Sequence, residues 1–391
     1  MKSSLHVGFN AFIISFVCLC GFEWSAIVNP FDRVLPFLEK SWSPLVPLIN
    51  TSSIATAAIH SDSTGQYILA LLCLTVSVLV ALVHRIGSHK VCVKDASAVH
   101  FNILLCRYML ALFLGVYGIN KVLHWQFARP EPNLLYTPTG MHSKAMLFWI
   151  SMGSSWLYQT VTGWIELSTA ALLLHRRTIK WGSLMALMIM AHVFLLNMSF
   201  DISVKLFSAF LLALALRLYA YTREQASDAA LDTPRFFNKQ KWLKALLVAA
   251  MMWMVFGTVV HNALRGDAID GHCAARPALH GAYALTKIAD VNGHPPITWE
   301  QFEKVFIHKD HFILFARADG ESQCFRLLQD GKSNLALCDD QGNTTAYWRC
   351  EQKGETVLLF DGERCIMAWT QLPWEQMPLL QDEQHFFMDS D

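Results

Sequence analysis

Residues 163–174 read GWIELSTAALLL, an apolar run that contains one acidic side chain, Glu166. A similar run at 197–216, NMSFDISVKLFSAFLLALAL, contains Asp201 and Lys205. A charged side chain inside a membrane span is costly, usually faces the interior of a helix bundle and marks a functional site by default. These residues therefore predict a membrane helix bundle with a polar cluster inside it.

The composition also indicates a membrane protein. Hydrophobic residues make up 53% of the 391 positions and charged residues only 16%, a more apolar balance than that of ordinary soluble domains. The 31 basic and 31 acidic residues cancel, so there is no basic excess of the kind that nucleic-acid binding requires. We therefore expect the lipid bilayer as a partner, and no nucleic acid.

A membrane-spanning helix needs about 20 apolar residues, because the hydrocarbon layer is about 30 Å thick. Stretches of roughly that length predict a membrane all-α bundle of about seven transmembrane helices. The first stretch also resembles a signal peptide, but it lacks a small-x-small cleavage site, which favours an uncleaved anchor. The predicted spans are Gly8–Val28, Gln66–Val83, Phe101–Asn120, Ser155–Leu174, Trp181–Met198, Ile202–Tyr221 and Leu243–His261.

Basic residues cluster in three loops between these spans, at 85–94, 176–180 and 217–244. The positive-inside rule places such loops in the cytoplasm. The residues after His261 then lie on the outer face, which is the periplasm of a bacterial cell. We therefore predict a multi-pass protein of the bacterial inner (cytoplasmic) membrane with a periplasmic C-terminal domain.

The C-terminal pattern is that of a β domain, in which short apolar runs alternate with polar residues. Asx-Gly pairs at 292–293, 319–320, 330–331 and 361–362 supply the positive backbone dihedrals that tight hairpins need. This pattern predicts an all-β domain, either a β-meander or a small barrel. Its clearest strands are His311–Arg317, Thr356–Phe360 and Cys365–Thr370.

The chain is thereby divided into four parts. These are 1–100 with two N-terminal spans and an extracytoplasmic loop, 101–222 with a four-helix membrane core, 223–264 with a cytoplasmic linker and the seventh span, and 265–391 with the β domain. Half of the ten cysteines lie in the last part, which predicts structural disulfides or buried thiols with several possible pairings. No Cys-x-x-Cys or closely spaced histidine pair indicates a metal site.

The predicted polar cluster draws on several spans. Tyr117 and Lys121 are four residues apart, so they share one helical face near the outer end of the third span. Glu166 falls near the midplane, where a carboxyl group must be protonated or paired with a partner such as Arg107.

Three further polar residues, Asn197, Asp201 and Lys205, are expected at the outer level of the bundle. Asp201 either pairs with Lys205 four residues later or caps the helix that follows it. A lysine at this level can instead extend to the headgroups. Trp125 fits either an interfacial aromatic belt or a ligand contact.

Three segments resemble the DoxX-like bacterial membrane proteins: RYMLALFLGVYGINKVLHWQF at 107–127, GWIELSTAALLLHRRTIKWGSL at 163–184 and LNMSFDISVKLFSAFLL at 196–212. The segment GAYALTKIADVNGHPPITWEQFEKVF at 281–306 is similar to the lipocalin-like extension of one subgroup of that family. The resemblance implies a DoxX-like four-helix core and a shared polar site. The residues it implies for that site are Tyr117, Lys121, Glu166, Asn197, Asp201 and Lys205.

Well-known DoxX-like proteins are tied to quinol oxidation or to respiratory and thiol redox systems, which makes a quinone the expected ligand. Lys121, Glu166 and Asp201 are then the candidate catalytic residues, because buried lysines and carboxylates can exchange protons near neutral pH. The candidate ligand contacts are Arg107, Tyr117, Trp125, Asn197 and Lys205. A more distant similarity, to the membrane part of vitamin K-dependent gamma-carboxylases, implies that Lys121 faces a reduced quinone.

Two functional hypotheses follow from the sequence. In the first, the bundle binds a quinone or similar lipid, and electrons pass to a separate electron-transfer partner. In the second, the bundle is a non-catalytic scaffold that presents the β domain to a periplasmic protein or lipid ligand, with buried ion pairs fixing helix packing. A proton-coupled transporter is less favoured, since no inverted repeat is evident.

Overall fold

The computed structural model describes residues 2–19, 39–41, 43–49, 61–87, 95–225, 249, 257, 276–288, 301–330, 334–339 and 341–381. The chain forms two compact units. The first contains Met1–Leu123 and Thr160–Arg265, and the second contains His124–Gln159 and Gly266–Asp391. Residues 124–159, which the sequence placed inside the core at 101–222, therefore belong with the C-terminal unit.

The helices follow one another from the N-terminus to residue 225. In chain order they are α1 (Lys2–Leu19), α2 (Val46–Ile49), α3 (Thr64–Gly87), α4 (Asp95–Val122), α5 (Pro132–Tyr136), α6 (Lys144–Ser154), α7 (Trp156–Leu174), α8 (Ile179–Ser199) and α9 (Lys205–Gln225). Short 3-10 helices lie at Ser43–Leu45, Thr139–Met141, Trp374–Gln376 and Pro378–Leu380.

Four of the described helices are long and apolar enough to cross a membrane, namely α3, α4 from Ala98 onward, α8 and α9. Helix α7 has a similar length, but polar residues such as Gln159 and Glu166 make it less apolar. Helix α1 contributes a shorter apolar segment, Ser4–Val17. The count of seven spans is therefore not supported. The seventh predicted span, Leu243–His261, lies outside the described residues except for positions 249 and 257.

Apolar side chains from most of these helices form one core in the first unit. Leu110 of α4, Leu173 of α7 and Leu214 of α9 have no exposed surface. A polar contact also links two helices, since the Asn102 side chain of α4 donates a 2.9 Å hydrogen bond to Asn10 of α1. Such side-chain hydrogen bonds stabilise helix contacts where the surroundings are apolar.

Two glycines let the backbones of α4 and α7 touch. A β-carbon at Gly118 would lie 2.8 Å from Leu167 Cγ and 2.9 Å from the carbonyl oxygen of Gly163. A β-carbon at Gly163 would lie 2.8 Å from the carbonyl oxygen of Gly118. Neither position accepts a side chain unless the helices move apart. Small residues serve the same purpose at close helix contacts in membrane bundles.

The second unit contains a closed antiparallel barrel whose strands follow one another in chain order. The barrel is closed by β1 and β8, with Tyr283 opposite Gln371. The all-β prediction is confirmed, and Gly320 and Gly362 have the positive φ expected at two of the four Asx-Gly turns. The strands are β1 (Gly281–Ile288), β2 (Phe302–Ile307), β3 (Phe312–Arg317), β4 (Ser322–Asp330), β5 (Asn334–Cys338), β6 (Thr344–Lys353), β7 (Thr356–Asp361) and β8 (Arg364–Gln371).

Large side chains occupy the barrel interior. Trp369 is fully buried, and its ring centroid lies 6.0 Å from that of Tyr283, 6.2 Å from that of Phe315 and 6.4 Å from that of Trp348. An eight-stranded barrel has room either for such side chains or for one small ligand. Here the aromatic side chains take the central space.

Three cysteines described in the barrel are free thiols: Cys338, Cys350 and Cys365. The sequence predicted structural disulfides or buried thiols, and the buried Cys338 and Cys350 follow the second alternative. Burial raises the pKa of the Cys350 thiol to about 11. This thiol therefore stays protonated near neutral pH, and the thiolate needed for metal binding or nucleophilic attack is scarce.

Substituting Gly118 tests the close contact of α4 and α7. We expect Gly118→Ala to destabilise the protein by about 1–3 kcal/mol, because an added methyl group overpacks a contact already at van der Waals distance. Gly115→Ala is the matched control on the same helix, since a β-carbon there meets no atom of the described residues within 4 Å. Thermal unfolding of the purified protein in detergent measures both. Equal midpoints for the two variants would contradict the packing described here.

Candidate functional site

A buried ion pair links α4 to α7. The ammonium group of Lys121 donates a hydrogen bond to Oε1 of Glu166. Lys121 is 9% exposed and Glu166 only 4% exposed. An acidic and a basic side chain are therefore paired at a buried place in the first unit.

The glycine contact explains how these two side chains meet. Lys121 lies three residues beyond Gly118, and Glu166 lies three residues beyond Gly163, which is about 4.5 Å along each helix axis. Gly118 lies against Leu167 and Gly163 lies against Val122, so the two helices run in opposite directions and the α-carbons lie on opposite sides of the glycine contact. Helical side chains lean toward the N-terminus of their own helix. Both side chains thus lean toward each other across the glycines.

One oxygen of the Glu166 carboxylate is left without a partner. Oε2 is buried and accepts no hydrogen bond from any described residue. Burying a carboxylate costs free energy that one contact with an ammonium group only partly offsets, unless its other lone pairs are also satisfied. A donor on a ligand would therefore satisfy this oxygen.

Arg107 has a different partner from the one expected. Its guanidinium group donates to the carbonyl oxygens of Leu173 and Leu174, the last two residues of α7, with 2.5 Å for the bond to Leu174. Terminal helix carbonyls have no partner within the helix, and cations are favourable beside them. The suggested pairing of Arg107 with Glu166 is thus wrong, because Lys121 occupies that place.

Lys205 belongs to a second group of charges. Its ammonium group lies 2.8 Å from Oδ1 of Asp201 and 3.8 Å from Oδ2 of Asp62. The side chain of Asp201 is 80% exposed, so Asp201 is not buried with Glu166. Asp201 thus pairs with Lys205 as one alternative predicted, but the helical spacing expected for the pair is absent, because α9 begins only at Lys205. No described contact joins this group to Lys121.

Asp62 caps α9, a role that the sequence assigned to Asp201 as an alternative. Its carboxylate accepts hydrogen bonds from the backbone amides of Lys205 at 2.7 Å and Leu206 at 2.9 Å. Asp62 is itself positioned at the start of α3, where its amide donates to Oε1 of Gln66 at 2.7 Å. The Ser-x-x-Gln capping pattern at 63–66 predicts a helix start but not a contact with a distant helix.

The remaining predicted contacts are spread through the chain. Tyr117 packs against the helical core one turn before Lys121. Asn197 is buried in α8, and its side-chain nitrogen donates to no described residue. Trp125 is half-buried and belongs to the second unit. The described contacts therefore join Lys121 to Glu166, and Tyr117 lies one turn before Lys121 on α4. No group of described His, Cys, Asp and Glu residues could hold a metal ion.

Comparison with known proteins gives one informative relative. A stretch of 112 residues, 29% of this chain, is 31% identical to the uncharacterized protein YwoB of Bacillus subtilis and covers 71% of that protein. No family model matches the chain. No solved structure matches it either.

Removing one member of the buried pair should be strongly destabilising. We expect Lys121→Ala to cost about 3–5 kcal/mol, because it leaves an uncompensated charge in the core. The double variant Lys121→Met with Glu166→Leu should be close to the parent, since well-packed apolar pairs often replace buried ion pairs without loss. Thermal unfolding of the single and double variants measures the coupling. Additive effects would mean that the two residues are not paired.

The cap on α9 gives an independent prediction. Asp62 and Asp201 both have a positive φ of 55°, which glycine adopts without strain, so glycine is the substitution at both positions. Asp62→Gly should destabilise the protein by about 0.5–2 kcal/mol, the usual effect of removing a helix-capping side chain. Asp201→Gly is the matched control, and it should leave the unfolding midpoint nearly unchanged because an exposed ion pair contributes little. The reverse order of the two effects would show that Asp201 is the residue that caps α9.

Proposed function

This chain belongs to the same protein family as YwoB of Bacillus subtilis, and on that premise we propose that it is an integral membrane protein whose Lys121–Glu166 pair exchanges protons with a quinone-like ring. The helices that are long and apolar enough to cross a membrane support the membrane part of the proposal. The basic loops support a cytoplasmic face at those loops and a periplasmic barrel in a bacterial inner membrane.

The observation that carries the proposal is the half-satisfied carboxylate of Glu166. Lys121 holds one of its oxygens, and the other is buried without a donor among the described residues. A ring hydroxyl can donate to that oxygen, and the carboxylate then accepts its proton as a general base. Lys121 stabilises the carboxylate before the transfer and can donate to a ring oxygen after it.

The Lys121–Glu166 pair can also bind a quinone-like ring without catalysing its oxidation. Quinol oxidation releases electrons as well as protons, and these need an acceptor, which we propose to be a separate electron-transfer protein. Tyr117, one turn from Lys121 on α4, can supply an aromatic face and a hydroxyl group to the ring. The resemblance to DoxX-like proteins makes a quinone the first ligand to test.

A non-catalytic scaffold is the second candidate. It is favoured by the position of the ion pair, since Lys121 and Glu166 each lie one turn from the glycine contact of α4 and α7. A pair in that place can fix helix register, as buried polar groups do in some bundles. On this alternative the protein presents its barrel to a periplasmic protein.

Lipid extraction separates the two candidates. The protein is purified from membranes in mild detergent, and the co-purifying quinones are quantified by mass spectrometry per mole of protein. We expect a quinone with the parent and at least a tenfold lower content, about 1.4 kcal/mol of affinity, with the Lys121→Met and Glu166→Leu double variant.

The double variant is the right probe because it removes both charges without leaving one of them buried. Lys205→Met is the matched control, since it removes a lysine from the separate group at the start of α9. Quinone retained by the folded double variant, or absent from the parent, would favour the scaffold.

A further inference from the structure

A buried carboxylate lies between two imidazoles in the second unit. Oε2 of Glu131 lies 2.9 Å from Nε2 of His280 and 4.0 Å from Nε2 of His308. Glu131 is 8% exposed, and the side chains of His280 and His308 are 6% and 13% exposed. Glu131 directly precedes α5, whereas His280 precedes β1 and His308 follows β2. The cluster thus ties the segment at 124–159 to one end of the barrel.

Each histidine is held in place by its own neighbours. His308 stacks on Phe312 with 4.0 Å between ring centroids, and its Nδ1 accepts a 3.2 Å hydrogen bond from the amide of Asp310. His280 lies edge-on to Trp374 at 5.5 Å. Nδ1 of His308 also lies 3.3 Å from Oδ2 of Asp310, while its Nε2 points to Glu131.

Helix α5 also makes an apolar contact with the barrel. Tyr136 of α5 packs against Phe306 of β2 with 5.9 Å between ring centroids, and Lys304 lies over the Tyr136 ring. Arg129 adds a 3.2 Å hydrogen bond to the carbonyl oxygen of Leu380. Helix α5 has five residues, which is too short to be stable by itself. Its attachment to the barrel therefore depends on contacts of this kind.

We propose that Glu131, His280 and His308 form an acid-sensitive clasp that fixes the segment containing α5 to the barrel and releases it as the pH falls. The charged groups that act on the clasp come from each neighbouring element. His280 precedes β1, and Lys309 and Asp310 accompany His308 in the turn between β2 and β3. The C-terminal segment contributes the Trp374 ring to the cluster.

The pKa values of His308 and Glu131 are both lowered in the folded protein. Burial lowers the pKa of His308 by more than the carboxylates of Glu131 and Asp310 raise it. Burial raises the pKa of Glu131, but the hydrogen bond from His280 and the nearby His308 outweigh this, so its pKa lies below the ordinary value. The folded clasp binds fewer protons than the released one. Stability from His308 is complete above a pH of about 6.5 and falls below it, and that from Glu131 falls below about 4.5.

Hydrogen exchange of the full-length protein in detergent tests the clasp. The amides of Leu134 and Leu135, which donate to the carbonyl oxygen of Glu131, report on α5. After correction for intrinsic exchange, we expect their protection to fall roughly tenfold between about pH 7.5 and pH 5, because the released segment binds more protons than the attached one. Amides of β3 and β7 serve as the internal check that the barrel stays folded.

Variants assign the effect to the clasp. Glu131→Gln should lower the protection of α5 at both pH values, and His308→Gln should remove its pH dependence. His311→Asn is the matched control, because His311 is exposed in the same turn and its positive φ of 58° suits asparagine. A parent protein with equal protection at both pH values would overturn the proposal. So would a folded His308→Gln protein that kept the full drop.

Discussion

The burial of opposite charges between α4 and α7 is the constraint on which the first unit depends. Lys121 and Glu166 can meet only because Gly118 and Gly163 let the helix backbones touch. The direction of helical side chains then turns both groups toward the contact. A residue with a β-carbon at either glycine would separate the charges as well as the helices. The ion pair and the close helix contact therefore depend on each other.

Polar side chains also fix the ends of two helices in the first unit. Arg107 satisfies the terminal carbonyls of α7, and Asp62 satisfies the first amides of α9. Both contacts come from distant parts of the chain, so they fix tertiary structure while they complete secondary structure. In the second unit, the Glu131 side chain makes no capping bond to α5 but binds His280, and so connects the start of that short helix to the barrel. Polar side chains therefore fix the positions of helices that apolar packing alone does not determine.

Local patterns predicted the local features of this protein. Apolar runs gave the long helices, and Asx-Gly pairs gave the turns at Gly320 and Gly362. Asp201 pairs with Lys205 as the sequence suggested, although Asp201 precedes α9 and does not share a helical face with Lys205. Contacts between residues that are far apart in the sequence could not be predicted from such local patterns. The capping of α9 by Asp62 and the grouping of 124–159 with the barrel depend on the folded chain, and spacing along the sequence carries no signal for them.

The most direct test of the account is the distance between the ammonium nitrogen of Lys121 and the carboxyl carbon of Glu166 in lipid. Solid-state NMR dipolar recoupling measures it in protein labelled with ¹⁵N-lysine and ¹³C-glutamate, with Glu166→Gln to assign the signal. The account predicts a separation of about 3–4 Å, the distance of a direct ion pair. A separation beyond about 6 Å, where such a charge no longer acts as a close partner, would contradict it.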